Sequence, residues 1–96
     1  MNIGTNIELI TFVLNSIILN RNIKLIWDFR GSEALEIAKH HCVHLKEFSE
    51  KEDLIYHEVS TNQISEMHSI AFITINETDM ITFRDALKPH RGEVAN

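Results

Sequence analysis

Cysteine, proline and glycine are scarce in this chain: one, one and three among 96 residues. With Cys42 alone, no intrachain disulfide can form, which excludes the stapled secreted scaffolds common among small proteins. A structural zinc site built on paired cysteines is excluded on the same ground. Glycines at 4, 31 and 92 match neither GxGxxG nor a P-loop. No serine sits in a Gly-x-Ser-x-Gly elbow. Cations are also few, 9 Lys and Arg against 14 Asp and Glu, for a net charge of −5. So acidic a chain lacks the footprint of a nucleic-acid binder, and no such partner is expected. The apolar run over 7–19 is interrupted by polar residues and too short to span a bilayer. No positive n-region or small-residue cleavage site marks a signal peptide, so the expected setting is cytoplasmic, without a membrane.

What is present is an ordinary globular composition, 44% apolar and 24% charged, in a length that builds one thin core. Residues 23–53 organise the rest. Ile23, Leu25, Trp27 and Phe29 alternate with Lys24, Ile26 and Asp28, the period-two pattern of a strand. A turn follows at Arg30-Gly31, and from Ser32 the period changes to 3.6. Ala34, Leu35, Ala38, His41, Cys42, Leu45 and Phe48 then share one helix face. Cys42 on that face reads as packing, with a reactive thiol as the alternative.

Residues 1–22 form an apolar N-terminal segment, and residues 23–96 an α+β domain. In the segment, Thr5 and Glu8 fit a capping box, and Ile10, Leu14, Ile17 and Ile18 fall on one side of a helix. Alternation over 9–13 keeps a strand reading open, and the segment also reads as an extension outside the domain. Beyond the central helix, residues 54–59 are expected to form a short strand and Ser60, Thr61, Asn62 and Gln63 a connection. Residues 67–75 are apolar on both sides, as in a central strand covered on both faces. Asn76 caps a second helix carrying Met80, Ile81, Phe83, Ala86 and Leu87, which Pro89 stops. The tail from His90 is expected to be loose, with 93–95 as the one strand candidate.

The order from Ile23, β-α-β-β-α, resembles a ferredoxin-like fold whose last strand is weak or missing. The resemblance rests on element order over about three quarters of the chain, and it implies pairing of open sheet faces into a dimeric α+β barrel. It brings no activity and no cofactor with it.

Three places have the residues for chemistry. His40 and His44 are four apart on the central helix, with Glu47 three further on, a spacing that offers metal ligands. His41 lies within the apolar stripe and reads as a hydrogen-bonded core histidine. The turn at Asp28–Ser32 joins a strand to a helix N-terminus, where backbone N–H groups attract anions and Arg30 adds a charge. It reads equally as capping by Asp28 or Ser32 with Arg30 paired to a carboxylate, and Arg91, after His90, is a second cation that could approach it. Third is the sheet face away from the helices, carrying Lys24, Ile26 and Asp28 and either His68, Ile70, Phe72 and Thr74 or the alternate set. His68, His57 and Asp28 are candidate acid/base groups there, and Trp27, Arg30 and Tyr56 candidate ligand contacts.

Three functions follow as expectations. The first is a homodimer joined through its open sheet face, with room for a small apolar ligand. The second is a small barrel-type enzyme using His68 or His57 with Asp28. The third is a metal-binding module using His40, His44 and Glu47.

Overall fold

In the computed structural model, residues 21–95 are described. The N-terminal helix expected around Thr5, Glu8 and Ile10 lies outside them. Strand β1 runs Asn22–Arg30, one residue earlier than its apolar alternation suggests. Its odd-numbered residues Ile23, Leu25 and Trp27 are buried in the main core, with Phe29 packed against it. β1 ends where Gly31 adopts φ 114°, a region that L side chains resist. The Gly31 N–H donates to the Met67 carbonyl at 2.8 Å, so this glycine ties the turn to the hairpin beyond.

Helix α1 spans Ala34–Lys51, two residues later than Ser32. Neither Asp28 nor Ser32 caps it. The cap position is Glu33, which makes no side-chain capping bond. Ala34, Ala38, Cys42, Leu45 and Ser49 are its buried residues, spaced to form one stripe. Small Ala38 and Cys42 meet small Ala71 of the sheet, which lets helix and sheet approach closely. Ser49 donates to the Leu45 carbonyl at 2.8 Å, satisfying its hydroxyl within the helix. At Asp53, φ 56° turns the chain back.

The second strand departs from expectation. β2 is Glu58–Ser65, not 54–59, and Ser60–Gln63 lie inside it. Leu54 and Tyr56 instead pack as partly buried loop residues against the core. Among the described residues β2 is an edge strand, paired to β3 alone, and only its Val59 and Thr61 are half-buried. Polar residues suit such an edge, so composition mimics a connection. The register shifts between Gln63 and Ser65, and the turn lies at Glu66-Met67.

Strand β3, His68–Asn76, is buried over Ser69–Ile73 and again at Ile75. It lies between β2 and β1, in agreement with a strand apolar on both sides. Asn76 accepts from the Thr78 N–H at 2.9 Å and opens a 3₁₀ turn, Glu77–Asp79. Helix α2, Met80–Leu87, follows with Phe83 fully buried. It ends at Lys88 (φ 49°) just before Pro89. Glu77 accepts two bonds from Arg21, at 2.9 and 2.7 Å, which fastens the start of β1 to this turn.

The tail is not loose. Arg91–Val94 forms β4, antiparallel to β1, with Ile26 opposite Arg91 and Ile23 opposite Val94. All four residues are exposed, so no alternation announces the strand. Gly92 sits over Leu25, and a Cβ there would lie 3.2 Å from its Cδ2. The described chain is therefore β-α-β-β-α-β, with an antiparallel sheet ordered β2-β3-β1-β4. Leu45 of α1 and Phe83 of α2 share one core with Leu25, Trp27 and Ile73, so both helices cover the same face.

Candidate functional site

Register decides what lies on the other, outer face. β1 and β3 pair with Ile26 opposite Phe72, Asp28 opposite Ile70, and Arg30 opposite His68. β4 adds Arg91 beside Ile26 and Glu93 beside Lys24. Cross-strand partners share a face. The outer face thus carries an apolar strip, Ile26, Ile70 and Phe72, which forms a buried cluster of its own. Lys24 lies over the Phe72 ring, its Nζ 4.2 Å from the centroid.

An ionic constellation closes one end of the strip. His68 Nε2 is 2.8 Å from Asp28 Oδ1. Arg91 donates from Nε to Oδ2 at 3.1 Å and from Nη2 to Oδ1 at 3.2 Å, a forked contact on the same carboxylate. These bonds, Arg91's above all, outweigh partial burial and hold the Asp28 pKa down at about 2. An ionised Asp28 accepts from His68, so Nε2 carries a proton in this contact. On the β1 edge, the Asp28 N–H donates to His90 Nδ1 at 2.8 Å. Arg30 is exposed on the same face.

The other candidates separate. His57 is exposed at the opposite end, where its N–H donates to the Thr74 carbonyl. There it borders a cleft of about 480 Å³ with Lys24, Phe72, Thr74 and Glu93. Positions 68 and 74 on β3 are about 20 Å apart at 3.3 Å per residue, so His57 and His68 do not converge. Trp27 is buried, and its indole N–H donates to the Leu87 carbonyl at 2.8 Å. Tyr56 packs against the helix-side core. A second cleft, about 320 Å³, lies between α2 and β4, lined by Ile23, Leu25, Met80, Arg84 and Gly92.

On α1, His40 and His44 are both exposed, with Nε2 atoms 2.9 Å apart. Glu47 Oε2 is 3.6 Å from His44 Nδ1. Among the described residues no group of three or more His, Cys, Asp or Glu is placed to hold a metal ion. His41 is not the hydrogen-bonded core residue expected. Its ring packs on Trp27 and Phe29, with centroids 4.8 and 5.5 Å away, and its buried Nε2 has no hydrogen-bond partner among the described residues. Burial pushes the Cys42 thiol up, away from thiolate chemistry.

Arg91 is the residue whose role sequence reasoning could name but not assign. Its approach to Asp28 depends on β4, a strand without a pattern. Among the described residues no helix is long and apolar enough to cross a membrane. No protein-family model matches this chain, and neither a curated protein nor a solved structure shows significant similarity to it.

Proposed function

We propose that the chain is a self-associating α+β protein of the ferredoxin-like arrangement, in which two copies meet through their outer sheet faces and leave room for a small apolar ligand. One observation supports this: Ile26, Ile70 and Phe72, which are 2, 4 and 8% exposed within one chain, make an apolar cluster on the sheet face that neither described helix covers. The order β2-β3-β1-β4 supports the fold assignment. A sheet with one helix-covered face and a second apolar one is suited to pairing with its like, and closed two-fold association is the commonest way to do it. Asp28, Arg91, Arg30 and Lys24 would form the polar rim of such an interface.

Sedimentation at tens of micromolar should give about twice the 11.1 kDa of one chain. Ser60 and Asn62 are exposed beside Phe72 and Ile70, so Ser60→Arg with Asn62→Arg should leave the fold intact and give single chains. A wild-type protein that sediments as one chain would overturn the reading.

A second reading, acid–base catalysis by His68, rests on its 2.8 Å contact with Asp28. Here Asp28 and Arg91 position the ring, and Nδ1 faces the reactant. His57, at the far end, takes no part in it.

A further inference from the structure

We propose that His40 and His44 form a two-imidazole chelate for a divalent late transition metal of the square or octahedral type, Cu(II) or Ni(II), on the exposed side of α1. Four-residue spacing puts both rings on one flank of a helix. The spacing alone is weak, and the argument adds how closely the two rings approach each other. Two imidazole nitrogens bound at about 2.05 Å and at right angles around one ion lie about 2.9 Å apart; around a tetrahedral ion they lie about 3.3 Å apart. Their ring centres, about 1.15 Å behind each nitrogen, would be about 4.5 Å apart in the first case and about 5.2 Å in the second. The Nε2 atoms are 2.9 Å apart and the centroids 4.5 Å. That separation is set by the hydrogen bond between the rings; it lies within the span one ion can bridge, and two imidazoles with water completing the shell suit Cu(II) and Ni(II) by the Irving–Williams order.

Glu47 lies beside the pair: its Oε2 is 3.6 Å from His44 Nδ1, beyond hydrogen-bond distance, and its charge favours the proton on that nitrogen. Carboxylates behind a ligating histidine commonly act this way. In the absence of metal the two rings form one hydrogen bond between them, so binding replaces a shared proton by an ion. Water completes the shell, because no third protein ligand converges here among the described residues. Protons compete for the same lone pairs, so affinity must fall on acidification.

The full chain would be titrated with copper(II), nickel(II) and zinc(II) chlorides in a non-coordinating buffer. Trp27 is the only tryptophan and packs on His41, the neighbour of His40, so its fluorescence should be quenched as copper binds. Expected are one copper per chain, nitrogen hyperfine structure in its electron paramagnetic resonance spectrum, and nickel binding at least as tight as zinc. His40→Ala or His44→Ala should each weaken copper about 100-fold, and Glu47→Gln about 10-fold. His57→Ala, an exposed histidine elsewhere, should leave the affinity unchanged. Both α1 histidines are exposed, so circular dichroism should report a retained fold in these variants. Copper bound equally well by the double variant, or lost equally with His57, would overturn the proposal. So would a clear preference for zinc over nickel.

Discussion

The two faces of the sheet are built from the same strands one residue out of phase, and they do different work. Toward the helices, Ile23, Leu25, Trp27, Ile73 and Ile75 meet Leu45 and Phe83 in a continuous core. Each such side chain contributes about 1.5–3 kcal/mol by leaving water. Toward the outside, three apolar residues lie in a strip between charged ends. On the helix side Trp27 donates to the Leu87 carbonyl and Ser49 to the Leu45 carbonyl. On the outer side they meet one another across strands, as Asp28 does with His68 and Arg91. One face makes the fold, and the other carries groups that chemistry can use.

The largest expected effect tests that division directly. Phe83→Ala, at a fully buried ring edge-on to Phe48 at 5.4 Å, should destabilise by ~3–5 kcal/mol. Phe72→Ala on the outer face should lose less, ~2–3 kcal/mol, because Phe72 keeps 8% exposure and the stem of Lys24 can settle into the gap. Urea midpoints for the two variants decide the matter. Equal losses would mean that the outer strip is enclosed as tightly as the helix-side core.

This division also explains which parts were legible in the sequence. β1 and α1 declare themselves, because the change from period two to period 3.6 at Gly31 needs no partner to be read. β3 shows its central position through apolar residues on both sides. β2 is an edge strand whose outward residues are polar, so its identity depends on β3 and not on its own composition. β4 is four exposed residues including a glycine, and only its pairing with β1 makes it a strand. Asp28 and His68 each stand out as candidates, but their 2.8 Å contact follows from a register that places Arg30 opposite His68. Register is a long-range fact. His57 looked equivalent to His68 until β3 separated them.

A smaller effect sharpens the outer-face side of the comparison. Asp28 has a folded pKa of about 2, below the ordinary carboxylate value near 3.9. Its stabilising contribution is complete above about pH 4 and is lost as pH falls toward 2. Arg91 is about half exposed, and solvent screening limits the contribution to ~1 kcal/mol or less. Asp28→Asn should therefore be that much less stable at pH 7, and its unfolding midpoint should change less between pH 4 and 2. Nitrogen-15 NMR should show neutral His68 as the Nε2–H tautomer in the wild type, with the preference weakened in the variant. An unaltered tautomer would remove the positioning role that the acid–base reading gives to Asp28.

The smallest effect lies on the helix side, where two buried polar atoms, His41 Nε2 and Ser69 Oγ, do not fit the pattern. His41 Nε2 is buried against Trp27 and Phe29 without a partner among the described residues. Burial lowers its pKa first, and the neighbouring His44, His90 and His40 lower it further by like-charge repulsion when protonated. The folded value therefore lies below the unfolded one, so on acidification the unfolded chain takes up the proton first. Stability tied to His41 is complete above pH ~6.5 and declines as pH falls from there toward the depressed folded value. His41→Leu, of similar size and without the orphaned nitrogen, should lie within ~1 kcal/mol of wild type at pH 8. Below pH ~6.5 the variant should gain on the wild type as the pH drops. Urea midpoints at a series of pH values across that range would show the curves diverging in the variant's favour. A constant gap would mean that the ring protonates in place, and that water reaches this corner of the core.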